Sequence, residues 1–153
     1  MGYDELGSDV AHDFAWLKVR ATRSLASTGL AEAPQWYVGP ELNLAHQFYP
    51  ERATLGALSF ALQYRFGSDE ARWRPWLGGS IGPALTDVGL PDCSIAFLVL
   101  SQLGGGLEWR PTPGAGWHLL LEVAALHGSN ADLKTPNGGI NALLCTLGSA
   151  WDW

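Results

Sequence analysis

The sequence predicts an all-β protein, an eight-stranded antiparallel up-and-down transmembrane β-barrel, and three observations lead there. Seven segments alternate apolar with polar or small residues at the two-residue period of a strand, and turn-rich sequence separates them. The two faces produced by that period differ: one is greasy, and the other is small or polar with a few charges of both signs. Tryptophans gather at the segment ends on the greasy side.

The elements follow in order. Residues 2–13 are polar and weakly patterned, read as a short first strand or an irregular N-terminus, and a strand over residues 2–10 would be the eighth that closes a small barrel. The first clear segment is Phe14–Ala21, followed by the polar stretch Thr28–Gln35 with its proline. Trp36–Phe48, Leu55–Phe66 and Trp73–Thr86 come next. The loop Asp87–Ile95 leads to Phe97–Arg110, and the tight connection Pro111–Gly114 opens into Trp117–Ser129. A loop holding Pro136-Asn137-Gly138-Gly139 precedes the last strand, Ile140–Trp153. No helical cap joins a 3.6-residue apolar period and no linker divides the chain, so residues 1–153 are expected to form a single domain.

Parity assigns the faces. Lys18 and Arg20 share one side, as do Glu41 and Asn43, Gln63 and Arg65, Arg74 and Ser80, and Glu108 and Arg110. Glu122 and Asp152 complete a set of five basic and four acidic residues. Leu42/Leu44, Leu58/Phe60/Leu62, Leu77/Ile81/Leu85, Leu103/Leu107 and Leu143/Leu147 occupy the other side. A soluble lipid carrier would turn the greasy face inward, whereas a membrane barrel turns it toward lipid. Few charges per strand, nearly balanced in sign and interleaved with Gly, Ala and Ser, suit a crowded interior ion-pair network. Trp73, Trp109, Trp117, Trp151 and Trp153 suit an aromatic girdle. Phe14 and Trp16 fall on the charged face of their segment, against the pattern, as a bulge or a shifted phase would produce. Gly104-Gly105-Gly106 precedes no helix and is read as making room inside the barrel.

Composition excludes other classes. Only 16% of residues are charged while 47% are hydrophobic, against about 25% charged in typical soluble domains. The net charge of −6 argues against nucleic acid, whose phosphates need a basic surface. No apolar run approaches the ~20 residues of a membrane-spanning helix. Met1 to Glu5 carry no secretory signature, so the chain is read as either not exported or a mature form. Cys93 in a loop and Cys145 in a strand are not expected to pair. His12, His46 and His118 lack ligand-like partners, so no metal or other cofactor is expected.

The chemistry concentrates at His127-Gly128-Ser129-Asn130. His127 and Ser129 stand at i and i+2, so on a strand an imidazole and a hydroxyl share one face, the pairing that general-base activation of a serine requires. Leu119, Leu121, Val123 and Ala125 share that parity, so the pair ends an apolar outer row and suits a greasy substrate arriving from a membrane.

His127-Gly128-Ser129-Asn130-Ala131, with Lys134, Pro136-Asn137 and Gly139-Ile140-Asn141, resembles the C-terminal signature of the lipid A 3-O-deacylases (the PagL family) over about the last 30 residues. Arg74-Pro75-Trp76-Leu77, Ile81-Gly82 and Gly104-Gly105-Gly106-Leu107 resemble it more loosely, and the terminal Trp153 is similar to the aromatic ending of outer-membrane proteins. The resemblance implies an outer-membrane esterase that removes the 3-hydroxyacyl chain at position 3 of lipid A. Ser129 would be nucleophile and His127 general base, oriented by Asn141 where the best-known members carry an acid. An amide can fix the imidazole tautomer but gives the imidazolium no negative charge. Asn130, the backbone of Ala131 and Asp132, and Asn137 are the candidate oxyanion and substrate-binding residues. The Asp132 carboxylate, at a position often held by Gly, counts against a role beside an oxyanion. Expected partners are lipid A and the lipids of the outer membrane, with a homodimer allowed. The alternative is a non-catalytic barrel, either a soluble lipid carrier or a silent outer-membrane relative.

Overall fold

A computed structural model describes residues 13–25, 35–49, 52–68, 70–87, 97–113, 115–130 and 140–153. Seven strands account for most of them: β1 (Asp13–Ser24), β2 (Gln35–Tyr49), β3 (Ala53–Arg65), β4 (Trp73–Thr86), β5 (Phe97–Trp109), β6 (Trp117–Ser129) and β7 (Ile140–Asp152). Each pairs antiparallel with the next, and β1 meets β7 to close the barrel. Closure satisfies the backbone within the sheet, which lipid cannot do for an open edge.

The closure corrects the eight-stranded antiparallel expectation. Seven alternating strands leave the first and last pointing the same way, so their seam is parallel and the barrel is mixed. That seam pairs Val19–Thr22 with Ser149–Asp152. Residues 2–10, expected to supply the eighth strand, lie outside the described residues, as does Cys93.

The parity reading of the faces holds. Lys18, Arg20, Glu41, Arg65, Arg74, Glu108, Arg110 and Glu122 are all buried inside, with Asp152 half-buried at the rim. Outside, Leu58, Leu85, Leu103, Leu143 and Leu147 project freely, Leu143 with 77% of its surface exposed. An outer wall of bare leucine requires a lipid surround, so the greasy-inside carrier arrangement is not the one adopted. Cys145 is a free thiol on that outer wall.

The interior is filled in three tiers. At the end where β6 begins, Arg65 reaches Asp152 at 2.8 Å and Glu108 at 2.6 Å, Arg110 reaches Asp152 at 2.6 Å, and the Arg65 guanidinium lies 3.8 Å from the Tyr37 ring centre. In the middle, Arg20 Nε donates to Glu41 at 2.6 Å and Lys18 Nζ bridges Glu122 and Gln102. Ser80 and Asn43 donate to the remaining Glu41 oxygen at 2.8 and 3.0 Å. At the end where β6 finishes, Leu55, Leu98, Leu100 and Leu126 form an apolar plug with Ala45, Ala57 and Ala84.

Trp16 is explained by that plug. It packs against the apolar tier and donates from Nε1 to Asn43 at 3.2 Å, so it is an interior residue in correct phase. The register shift of β1 falls before it, between Asp13 and Phe14, and the Phe14 side chain lies outside the described residues. Gly106 shows how large groups fit inside: a Cβ there would overlap the carbonyl oxygen of Leu121, and its cross-strand partner is the buried indole of Trp76.

The tryptophans of the girdle are one-sided. Trp73 pairs with Trp109 and Trp117 with Trp151 across the strands, and Trp36 joins Tyr64 with ring centres 4.9 Å apart. All of these, with Trp153, stand at the end where β6 begins.

Two substitutions test this inside-out arrangement by urea unfolding in lipid. Glu122→Ala strands Lys18 and Arg20 without one of their carboxylates and should cost about 3–5 kcal/mol. Leu58→Arg, mid-strand on the outer wall, should cost about 2–4 kcal/mol; a neutral result would mean that this face does not meet hydrocarbon.

Candidate active site

The site is assembled by the register of β5, β6 and β7. Ser101 pairs with His127, and His127 pairs with Asn141, so three residues distant in sequence form one row across three strands. All of them belong to the outward phase of their strands, and His127 and Asn141 are exposed. The row beneath is Leu103, Ala125 and Leu143, where the small alanine leaves a gap between two projecting leucines. Together these rows line a groove of about 470 Å³ on the outer wall.

His127 Nδ1 lies 2.8 Å from Asn141 Oδ1. An amide oxygen only accepts, so this contact puts the ring proton on Nδ1 and leaves the Nε2 lone pair free, as a base needs. Asn141 stands on the outer face, where parity put it, and the β6–β7 register sets it beside the imidazole. Ser129, half-buried, follows His127 by one pleat on the same outward row, across from Val99. Asn130 is fully buried. Ala131, Asp132 and Asn137 lie outside the described residues.

One neighbour escaped the sequence reading. Ser101 Oγ donates to the carbonyl oxygen of His127 at 3.2 Å and lines the same groove. Its signal was present, because Val99, Ser101 and Leu103 share a phase and only the middle one is polar. Nothing in the local sequence of β5 connects that hydroxyl to His127; only the strand register does.

Comparison with known proteins places the whole barrel. Residues 12–150 match the family model described as Lipid A 3-O-deacylase (PagL), which spans all seven strands apart from the last residues of β7. Among curated proteins and among solved structures, none matches the chain. A match over nearly its entire length shows that this chain belongs to the lipid A 3-O-deacylase (PagL) family.

Proposed function

We propose that the protein is an outer-membrane serine esterase that hydrolyses the ester-linked 3-hydroxyacyl chain at position 3 of lipid A. The observation that carries this reading is the 2.8 Å contact between His127 Nδ1 and Asn141 Oδ1 on a wall that otherwise faces lipid. Polar side chains on such a wall are costly unless they are used or paired. Family membership supplies the substrate class, and the outward position supplies the route: lipid A reaches the row by lateral diffusion, with no need to leave the membrane.

The chemistry follows from the tautomer. His127 Nε2 takes the Ser129 proton as Oγ attacks the ester carbonyl, and Asn141 holds the ring through Nδ1. Collapse of the tetrahedral intermediate transfers that proton to the departing sugar oxygen and leaves an acyl-serine. Water, deprotonated by His127, then attacks the acyl carbon, and the fatty acid leaves as Ser129 regains its proton. The backbone N–H groups of Asn130, Ala131 and Asp132, with Asn137, are assigned to the oxyanion and the sugar. The buried Asn130 side chain suits a structural role better than direct contact with substrate.

Mass spectrometry of lipid A incubated with detergent-solubilised protein tests the reading. Loss of one 3-hydroxyacyl group is expected with wild type and is abolished in Ser129→Ala and His127→Ala, each still a folded barrel. Full activity in either variant sinks the mechanism, and an inactive folded wild type would make this a silent member. Asn141 is tested separately. Asn141→Ala frees the ring and should lower kcat about tenfold to a hundredfold, the size of a small misplacement. Asn141→Glu adds the charge that stabilises an imidazolium and should exceed wild type. Equal rates in all three proteins would show that position 141 does not orient the base.

A further inference from the structure

Ser101 is an outward hydroxyl beside the candidate site that the mechanism above leaves unused. Along β5 its outward neighbours in phase are Val99, Leu103, Gly105 and Leu107, so it interrupts an apolar row. At the edge of this apolar wall Ser101 takes a partner from the protein itself, donating to His127 O at 3.2 Å. A serine hydroxyl has one proton and two lone pairs. With its proton committed to a backbone carbonyl, Ser101 presents only acceptor capacity to the groove it lines beside His127 and Asn141.

From this we infer that Ser101 is a specificity-determining residue that accepts a hydrogen bond from a hydroxyl on the acyl chain, close to the scissile carbonyl. The inference rests on the esterase reading. The position fits that chemistry. Ser129 lies one pleat beyond the row of Ser101 and His127, so a carbonyl held at Ser129 sends the first carbons of its chain across that row. Below it the groove becomes apolar at Leu103, Ala125 and Leu143, which suits the hydrocarbon that follows. A chain hydroxylated on its third carbon carries a donor at the level of Ser101. An unsubstituted chain has none, and a chain whose hydroxyl is itself acylated has lost it. Either would bring only carbon or an ester oxygen against the Ser101 lone pairs, and both should be poorer substrates.

The test uses the full chain in detergent with two glucosamine 3-esters, identical in chain length, one with and one without the 3-hydroxyl. Wild type should prefer the hydroxylated ester by kcat/KM. Ser101→Ala should reduce that preference about tenfold, the worth of one neutral hydrogen bond near the upper end of its range. Ser101→Thr, which keeps the hydroxyl, should restore it. A preference unchanged in Ser101→Ala overturns the assignment, whether both rates fall together or neither moves, because a group that only braces His127 affects both esters alike. Loss of acyl-enzyme formation on both esters would instead make Ser101 the nucleophile and overturn the assignment too. A wild type that cleaves neither ester refutes the esterase reading, and this inference with it.

Discussion

The structure depends on one constraint: the pleat sends alternate side chains to opposite sides of a sheet whose outer side meets hydrocarbon. Charges away from the strand ends must then go inward, where each is as costly as in any protein core unless a partner is at hand. The barrel answers with paired tiers. Glu41 is met by Arg20, Asn43 and Ser80, Glu122 by Lys18, and Asp152 by Arg65, Arg110 and Thr22. Glycines such as Gly106 are part of the same solution, because the small lumen must also hold arginine and tryptophan side chains. The apolar tier behind the candidate site lets the sheet there be fixed largely by packing.

The same constraint is why the outer row of Ser101, His127 and Asn141 is informative. Interior polar groups explain themselves by pairing, but polar groups that interrupt an apolar outer wall call for another reason. Here each is tied to the next: Ser101 to the His127 backbone and His127 to Asn141. The row is rigid because three adjacent strands carry it, and reachable because the neighbouring Ala125 is small.

Much of this was legible in the sequence because the period of a strand is two. Parity alone could put Lys18, Arg20, Glu41, Glu122 and their kin on one face and His127, Ser129 and Asn141 on the other, and the balanced charges and the tryptophans turned the first face inward. Parity has no information on what lies across a strand pair. Ser101 was therefore invisible as a neighbour of His127, although the two are directly opposed. Trp16 misled because the rule assumes a uniformly polar lumen, while the lumen turns apolar at one end. The parallel seam of β1 and β7 follows from the number of strands, which weak patterning near the N-terminus left open. The oxyanion residues were chosen on a resemblance, and position along the chain does not say how a loop holds its N–H groups.

The one-sided tryptophan rim acts as a ruler. Trp117 and His127 lie on the same strand, ten residues apart. At about 3.3 Å per residue the path between them is ~33 Å, and a strand tilt near 40° reduces it to ~25 Å along the barrel axis, the height of the apolar band of such barrels. Anchoring the indoles at one water–lipid boundary thus carries the histidine to the other, the depth at which acyl esters of a lipid leave hydrocarbon for headgroup. Two residues added to or removed from β6 would keep every side chain on its face and still carry His127 ~5 Å along the axis, off that boundary.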